Sequence, residues 1–162
     1  MFGGDDQKSS QRNIALNLKN AWDLEFIRDK IMPQVDVVLE SYRPGTMEKL
    51  GLGPKEVHKV NPKVIFGRLS GYGQVQSNYR ERAGHDMNYL ALTGILYKFR
   101  RHAKSNAPTP PANFLADFAS GSLHLFNLIL QALYVKTPNT VLDCSLTHST
   151  LYLSQLELLK EV

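Results

Sequence analysis

The 162-residue sequence contains one cysteine, Cys144, and one tryptophan. A single cysteine excludes an intramolecular disulfide framework and a cysteine-built zinc site, so a reducing compartment is the simpler interpretation. The thiol follows an apolar run and is predicted to be a small buried group. The first residues lack the apolar core of a signal peptide, and no apolar run approaches the roughly 20 residues that span a bilayer. We therefore expect an intracellular chain without a membrane span.

The sequence also lacks a strong excess of one charge and any signature of a nucleic-acid-binding module. Its 19 lysines and arginines oppose 15 acidic residues, which gives a formal net charge of +4. This balance suits a polyanionic small ligand better than duplex DNA, so no nucleic-acid partner is predicted. The basic cluster Lys98, Arg100, Arg101, His102 and Lys104 is either a solvated loop or a contact with an anion such as phosphate.

The apolar content of the chain is sufficient for one domain. Hydrophobic residues make up 43% of the sequence, which is enough for a core at this length. Residues 1–12 are polar and are predicted to be a flexible N-terminal lead-in, and residues 13–162 are predicted to form a single domain.

Apolar periodicity predicts strands that alternate with helices. Strands are expected at residues 14–19, 35–40, 64–70 and 141–143, and the second of these is expected to be buried on both faces. Helices are expected from Ala21 to about Pro33, from Thr46, at Pro54–Val60, around Tyr89, at Leu123–Val135 and at residues 145–159. This alternation predicts a parallel, doubly wound α/β sheet with flanking helices. The last helix is apolar on most faces, so it should pack against further sequence or a second chain.

Two glycine-containing loops follow predicted strands, at residues 41–45 and 70–74. In a doubly wound sheet, ligands bind beyond the carboxyl ends of the strands. Gly71 and Gly73 either bring backbone N–H groups close to a ligand or form an ordinary turn, because two glycines alone are not a phosphate-loop motif.

Two candidate residues for proton chemistry stand out, His85 and Asp117. His85 lies between Gly84 and Asp86, and this trio is either a catalytic site or a hydrogen-bonded corner. Asp117 is either a cap at the entrance of an apolar helix or a buried acid–base group. Its apolar and small neighbours predict that burial raises the pKa of its carboxyl group.

Five ordered segments together resemble a known family: residues 12–19, 42–54, 68–74, 82–89 and 115–118. They are similar to the class III coenzyme A transferases and, within that family, to the α-methylacyl-CoA racemases. The resemblance implies an α/β domain in which two chains interlock into a ring-like homodimer. It also implies that this chain is an incomplete large domain of about half the family length. The family's usual first strand with its arginine-bearing loop, and the C-terminal part with an acidic residue that assists the histidine, are absent from it.

The resemblance assigns roles to individual residues. His85 and Asp117 match the two catalytic bases of the racemases, and Asp117 also matches the carboxylate that becomes acylated in the transferases. The segments that match the coenzyme A and thioester contacts are Leu16, Asn17, Leu18 and Lys19, and Gly84, His85, Asp86, Met87, Asn88 and Tyr89. Weaker candidates for coenzyme A binding are Arg43, Arg68, Gly71, Tyr72 and Gly73.

The implied reaction inverts the 2-methyl centre of a branched acyl-CoA thioester. One base removes the acidified α-proton, and the other returns a proton on the opposite face through an enolate. Backbone N–H groups near Asp117, or a helix N-terminus, are expected to stabilise the enolate oxygen. No metal and no redox cofactor is expected, since coenzyme A is part of the substrate, and the family resemblance points to mitochondria or peroxisomes. The alternatives are a coenzyme A transferase with an aspartyl acyl-enzyme and a non-catalytic remnant that binds coenzyme A or a partner chain.

Overall fold

The structure is a computed structural model that describes residues 11–75, 77–100, 107–109 and 111–160. Its sheet contains three parallel strands in the order β1 (Val37–Glu40), β2 (Ile65–Ser70) and β3 (Val141–Ser145). Val37 lies opposite Ile65 in the register of β1 with β2, and Phe66 lies opposite Val141 in that of β2 with β3. The predicted parallel sheet is therefore confirmed.

Helical elements connect and follow the strands. The helices are α1 (Ala21–Phe26), α2 (Thr46–Lys49), α3 (Pro54–Val60), α4 (Asp86–Leu92), α5 (Leu123–Val135) and α6 (Leu146–Leu159). Two π-helical segments, Ile27–Ile31 and Phe114–Ser122, and two 3-10 segments, Met32–Gln34 and Ile95–Phe99, complete the set. The predicted bounds of α3 and α5 are the observed ones.

Local side chains fix where several helices begin. The Asn20 side chain accepts a hydrogen bond from the Trp22 N–H and caps α1. Pro54 stands in the first turn of α3, where the missing N–H costs nothing. The Ser145 hydroxyl accepts the His148 N–H at 3.3 Å and caps α6.

Apolar side chains cover both faces of the sheet. On one face, buried residues from β1, β2 and the preceding helices form a cluster: Met32, Val38, Met47, Leu52, Val57, Val64 and Phe66. On the other face, α5 packs against β2 and β3 through Leu125 and Ile129, which meet Ile65 and Cys144. A third cluster lies between α4, the Phe114–Ser122 segment and α6, and it contains Tyr89, Leu90, Ile95 and Ala116. Helices on both faces are the doubly wound arrangement. Cys144 is buried as predicted.

The Phe114–Ser122 segment and α5 form one continuous helix of 22 residues. Among the described residues it is the one helix whose length and composition would suffice to cross a membrane, although the sequence predicted no such run. Leu125 and Ile129 of this helix pack against β2 and β3, and Ala116 packs with Tyr89 and Leu90 of α4. Asp117, one of the candidate site residues, lies in the first part of this helix.

The predicted strand at residues 14–19 is wrong. Residues 11–17 have no regular secondary structure, and a turn follows before α1. Local polar side chains accept hydrogen bonds from backbone N–H groups that would otherwise donate to a neighbouring strand. The Asn17 N–H donates to Asp23 Oδ2 at 2.8 Å, and the Lys19 N–H donates to Asn17 Oδ1 at 3.0 Å. Most of the predicted lead-in, residues 1–10, lies outside the described residues.

The prediction that β1 is buried on both faces is wrong for one face. Val38 and Glu40 are buried, but the Leu39 side chain is 65% exposed. The cause is the position of β1 at an edge of the three strands, while α5 packs mainly against β2 and β3. Leu39 instead lines an apolar cavity of about 320 Å³ with Leu125, Phe126 and Ile129.

Candidate active site

The candidate site begins where α4 starts. His85 is the extended residue before this helix, with φ −127° and ψ 169°. Its N–H donates to Asn88 Oδ1 at 2.9 Å, and the Asn88 N–H donates back to the His85 carbonyl oxygen at 2.8 Å. This pair of hydrogen bonds fixes the chain at the helix start. The extended-to-helical change at this point sends His85 to the exposed surface and Asp86 into the interior.

Asp86 connects α4 to the Phe114–Ser122 segment. Its side chain is buried, with 3% of the residue exposed. Its Oδ2 atom accepts the backbone N–H groups of Ala116 at 2.8 Å and Asp117 at 2.9 Å. These are first-turn donors, which have no partner inside a helix. Asp86 therefore caps the helical segment that carries Asp117.

Asp117 lies near the start of that segment and is half-buried. Burial raises the pKa of its carboxyl group, the neighbouring charge of Asp86 raises it further, and His85 opposes this by lowering the pKa. The direction of the shift confirms the sequence-based prediction. Both predicted bases adjoin Asp86, since His85 precedes it in the chain and the Asp117 N–H donates to its side chain.

Two tyrosine rings pack against each other beside Asp86 and Asp117. The Tyr72 and Tyr89 rings meet edge to face with centroids 5.2 Å apart. Burial and the nearby Tyr72, Asp117 and Asp86 raise the pKa of Tyr89 to about 12. A Cβ at Gly71 would lie 2.5 Å from Tyr89 Oη, and one at Gly84 would lie 2.7 Å from Tyr72 Oη. The two glycines therefore make room for the tyrosine rings.

The loop after β2 is held by its own hydrogen bonds. Gly73 has φ +87°, and its N–H donates to Ser70 Oγ at 3.1 Å. The Gln74 N–H donates to Asp143 Oδ2 at 2.9 Å, and the Gly71 carbonyl oxygen accepts the Thr147 hydroxyl at 2.8 Å. Of the two alternatives for Gly71 and Gly73, the structure favours the turn. The Gly73 N–H is committed to Ser70, and Gly71 admits a tyrosine ring.

Arg68, one of the weaker candidates for coenzyme A binding, is engaged with carboxylates inside the protein. Arg68 lies on β2 and is 5% exposed. Its Nε donates to Glu40 Oε1 at 2.6 Å, and its two terminal nitrogens donate to the carboxylate oxygens of Glu48 at 2.6 and 3.1 Å. The guanidinium group is thus neutralised inside the protein by two carboxylates.

The other predicted contacts lie on the surface. Lys19 is exposed in the turn before α1, and Arg43 is exposed in the loop after β1. Within the part of the chain that the structure describes, the hydrogen bonds of Asn17 and Lys19 are local and do not reach His85 or Asp117. Leu16 and Leu18 are half-buried, whereas Met87 and Asn88 are exposed on α4. The structure does not bring the 16–19 segment into hydrogen-bonding contact with the acid–base pair.

The basic cluster after α4 is only partly described. Arg100 stacks on the Tyr97 ring with its guanidinium carbon 3.3 Å from the ring centroid. Arg101, His102 and Lys104 lie outside the described residues. No group of three or more His, Cys, Asp or Glu side chains that could hold a metal ion occurs within residues 11–75, 77–100, 107–109 and 111–160.

One expectation about transition-state stabilisation needs correction. Of the backbone N–H groups near Asp117 that were expected to stabilise an enolate oxygen, those of Ala116 and Asp117 donate to Asp86. The alternative, a helix N-terminus, stays a prediction. Sequence reasoning placed Asp86 among the substrate contacts and missed its role as a cap. The adjacency of an aspartate to His85 was visible, but its partners are 30 and 31 residues away in the sequence.

The fold and the site define an α/β protein with a histidine and an aspartate at the starts of two adjoining helical segments. A profile of CoA-transferase family III matches residues 6–162. The chain belongs to this family.

Relatives and a solved structure agree with this assignment. The chain is 43% identical to α-methylacyl-CoA racemase of Mus musculus over 147 residues, which is 89% of this chain and 38% of that protein. It is also 43% identical over 143 residues to a CaiB/baiF CoA-transferase family protein of Caenorhabditis elegans, with 86% of this chain and 41% of the relative covered. The orthorhombic crystal structure of Rv3272 from Mycobacterium tuberculosis matches with a TM-score of 0.79 and 28% identity, covering 94% of this chain and 42% of that one. Relatives named as CoA-transferases match as well. The chain spans about two fifths of the length of the curated relatives it matches.

Proposed function

We propose that this chain carries the acid–base site of an enzyme that inverts the 2-methyl centre of branched acyl-CoA thioesters. The observation that carries the proposal is the placement of His85 and Asp117 at the starts of two adjoining helical segments, near enough for the His85 charge to affect the pKa of Asp117. Racemisation needs two groups that exchange protons with the same carbon from opposite faces. The mouse racemase at 43% identity supports this choice.

In the proposed reaction, a thioester lies between the two side chains. One group, unprotonated, takes the α-proton, and the electron pair moves onto the thioester carbonyl oxygen to give an enolate. The other group, protonated, then gives its proton to the opposite face of the α-carbon. The raised pKa of Asp117 suits this exchange, because it makes the carboxylate a stronger base and moves its pKa towards that of histidine.

We place coenzyme A on the exposed basic side chains. Lys19 is the first candidate for the phosphates, and Arg43 is the second, because both are exposed. Arg68 is omitted from this part of the proposal because Glu40 and Glu48 already neutralise it. The proposal also includes a homodimer, supported by the apolar residues that α5 and α6 expose: Phe126, Leu130, Leu133, Tyr134, Val135, Leu151, Tyr152, Leu153, Leu156 and Leu159.

The test is exchange of the α-proton with solvent deuterium, measured separately on the two pure 2-methylacyl-CoA epimers. Unmodified protein should incorporate deuterium into both epimers and interconvert them. His85→Ala and Asp117→Asn should each abolish interconversion, while each keeps exchange at the single epimer that the remaining base serves. His124→Ala and Asp143→Asn are matched controls outside the pair and should retain both activities. Absence of exchange in folded, dimeric protein would refute the racemase proposal.

A coenzyme A transferase is the second candidate. The half-exposed Asp117 carboxylate favours it, since a carboxylate that a thioester can reach can attack its carbonyl carbon, release the CoA thiolate and form an acyl anhydride. His85 argues for the racemase, because acyl transfer needs no second base at that place. Mass-spectrometric detection of an acylated Asp117, absent in Asp117→Asn, would replace the racemase by the transferase. Binding of coenzyme A with neither exchange nor acylation would indicate a non-catalytic CoA-binding chain.

A further inference from the structure

We propose that Asp86 is the positioning residue of the acid–base pair, because it ties the first turn of the Phe114–Ser122 segment to the start of α4 and thereby fixes Asp117 relative to His85. This inference rests on the proposed function for the meaning of the pair. The contact itself, in which the buried Asp86 carboxylate holds the backbone of the helical segment that carries Asp117, does not depend on the reaction.

The geometry makes Asp86 the link between α4 and the Phe114–Ser122 segment. Residues 85 and 86 are consecutive, so a contact that holds the Asp86 side chain also restrains the backbone next to His85. One oxygen of Asp86 accepts both N–H groups, of Ala116 and of Asp117. Hydrogen bonds from backbone N–H groups to a carboxylate are charge-assisted and short. The two bonds therefore oppose displacement of the Phe114–Ser122 segment from the start of α4.

The second oxygen of Asp86 strengthens the assignment. Its Oδ1 atom is buried and has no hydrogen-bond partner among the described residues. A buried carboxylate oxygen without a partner is costly. A helix cap alone needs one acceptor atom, which a neutral serine or asparagine supplies as well as a carboxylate does. A carboxylate at this place brings a charge that capping does not need, and that charge acts on Asp117, whose N–H the carboxylate accepts.

The charge of Asp86 acts on Asp117. Besides burial, Asp86 is the group that raises the pKa of Asp117, while His85 lowers it. Tyr89 on α4 shares the cluster, and Tyr72 faces Tyr89. From α6, the groups that contact the Phe114–Ser122 segment include Leu146 and Thr150, which are neutral. Asp86 thus holds Asp117 in place and favours its protonated form.

The test follows the protonation of Asp117 directly. In protein labelled with ¹³C-aspartate, the titration midpoint of the Asp117 carboxyl carbon should move to lower pH in Asp86→Asn, because the variant keeps an acceptor oxygen and loses the charge. Asp143→Asn is the matched control, since Asp143 also accepts a backbone N–H and does not affect the pKa of Asp117. An unchanged midpoint in Asp86→Asn, or an equal shift in Asp143→Asn, would overturn the proposal.

A second measurement addresses positioning. In Asp86→Ala the amide protons of Ala116 and Asp117 should exchange with solvent roughly tenfold faster or more, because both charge-assisted hydrogen bonds are lost. If either variant does not fold, the unmodified protein still tests the proposal. In the unmodified protein, the amides of Ala116 and Asp117 should exchange more slowly than those of Phe114 and Leu115 in the same first turn. Equal rates would refute the cap.

The reaction supplies an independent check. If deuterium exchange is detected, the acidic limb of its rate–pH profile should move to lower pH in Asp86→Asn. The limb should stay in place in Asp143→Asn. If unmodified protein shows no exchange, the proposed function fails, while the carbon titration and the amide rates still test Asp86. A merely structural residue would change stability without moving the midpoint of Asp117.

Discussion

Asp117 lowers the stability of the fold at neutral pH, because burial and the charge of Asp86 favour its protonated form. Its pKa in the folded protein lies above its ordinary value of 3.8, so the folded state binds more protons than the unfolded state in that interval. Unfolding therefore becomes easier as pH rises through this window. Such a cost is expected of the catalytic role proposed for Asp117, because active sites often trade stability for activity.

Asp117→Asn is therefore expected to raise the free energy of unfolding at pH 7, since it removes a carboxylate that the site disfavours. The gain should shrink as pH falls and vanish below 3.8, where the carboxyl group is protonated in both states. Urea denaturation at pH 7 and at about pH 3 measures the difference, with Asp143→Asn as control. A variant that is equally or less stable than the parent at pH 7 would contradict this prediction.

At the scale of helices and strands, ion pairs between elements help to fix their relative positions. Arg68 on β2 joins Glu40 on β1 and Glu48 on α2. The Glu40 side chain is 1% exposed and that of Glu48 is 46% exposed. Removing one partner of a buried pair leaves an uncompensated charge, whereas an exposed partner is screened by water.

Glu40→Ala should therefore reduce the free energy of unfolding by about 3–5 kcal/mol. Glu48→Ala should cost about 1 kcal/mol, because the side chain is nearly half-exposed and Arg68 keeps Glu40. Glu56→Ala, which breaks an exposed pair with Lys59 on α3, should leave it almost unchanged. Urea denaturation at neutral pH gives all three values. Equal losses for Glu40→Ala and Glu48→Ala would show that burial does not decide the strength of these pairs.

Acid should weaken the same contact. The hydrogen bond from Arg68 lowers the pKa of Glu48 below its ordinary value of 4.5. The stabilisation from Glu48 is therefore complete above 4.5 and is lost as pH falls through the lower folded-state pKa. The difference between Glu48→Ala and the parent should accordingly disappear in acid, which the same denaturation series reports.

Elements with strong local signals could be predicted from the sequence. Pro54 and the Asn61-Pro62 break bound α3, and a regular apolar pattern bounds α5. The strand at residues 14–19 failed because alternation shows only that a segment is suited to pairing. Whether a neighbouring strand is present depends on the rest of the fold. Here Asn17 and Asp23 take the backbone donors instead.

In the candidate site, too, local features could be predicted and long-range contacts could not. His85 and Asp117 could be named from motifs, because their neighbours in sequence are informative. The partners of Asp86 and Arg68 could not be named, since they lie between 20 and 31 residues away in the sequence and depend on how the elements pack. Gly71 and Gly84 looked like places where a ligand approaches, but a tyrosine ring occupies the space that each glycine leaves.

At the scale of the whole molecule, the apolar surface of α5 and α6 is the prominent feature. The two helices are neighbours, since the His124 ring on α5 and the Tyr152 ring on α6 have centroids 5.7 Å apart. Tyr134 is 89% exposed and Leu156 is 78% exposed. Each of the two helices exposes more apolar side chains than the scattered single residues of an ordinary surface, and this exposure fits the contact between copies included in the proposed function.

Leu156→Lys should therefore weaken self-association, because it places a charge within an apolar contact surface. Sedimentation equilibrium should show a dissociation constant for the dimer about tenfold higher or more than that of the parent, equivalent to roughly 1.4 kcal/mol. Gln155→Lys adds the same charge at the exposed preceding residue of α6 and should leave the constant within about twofold. A parent chain that stays monomeric at all concentrations, or equal effects of the two substitutions, would contradict the dimer on this surface. In that case the remaining length seen in the relatives, of which this chain spans about two fifths, becomes the candidate to cover the surface.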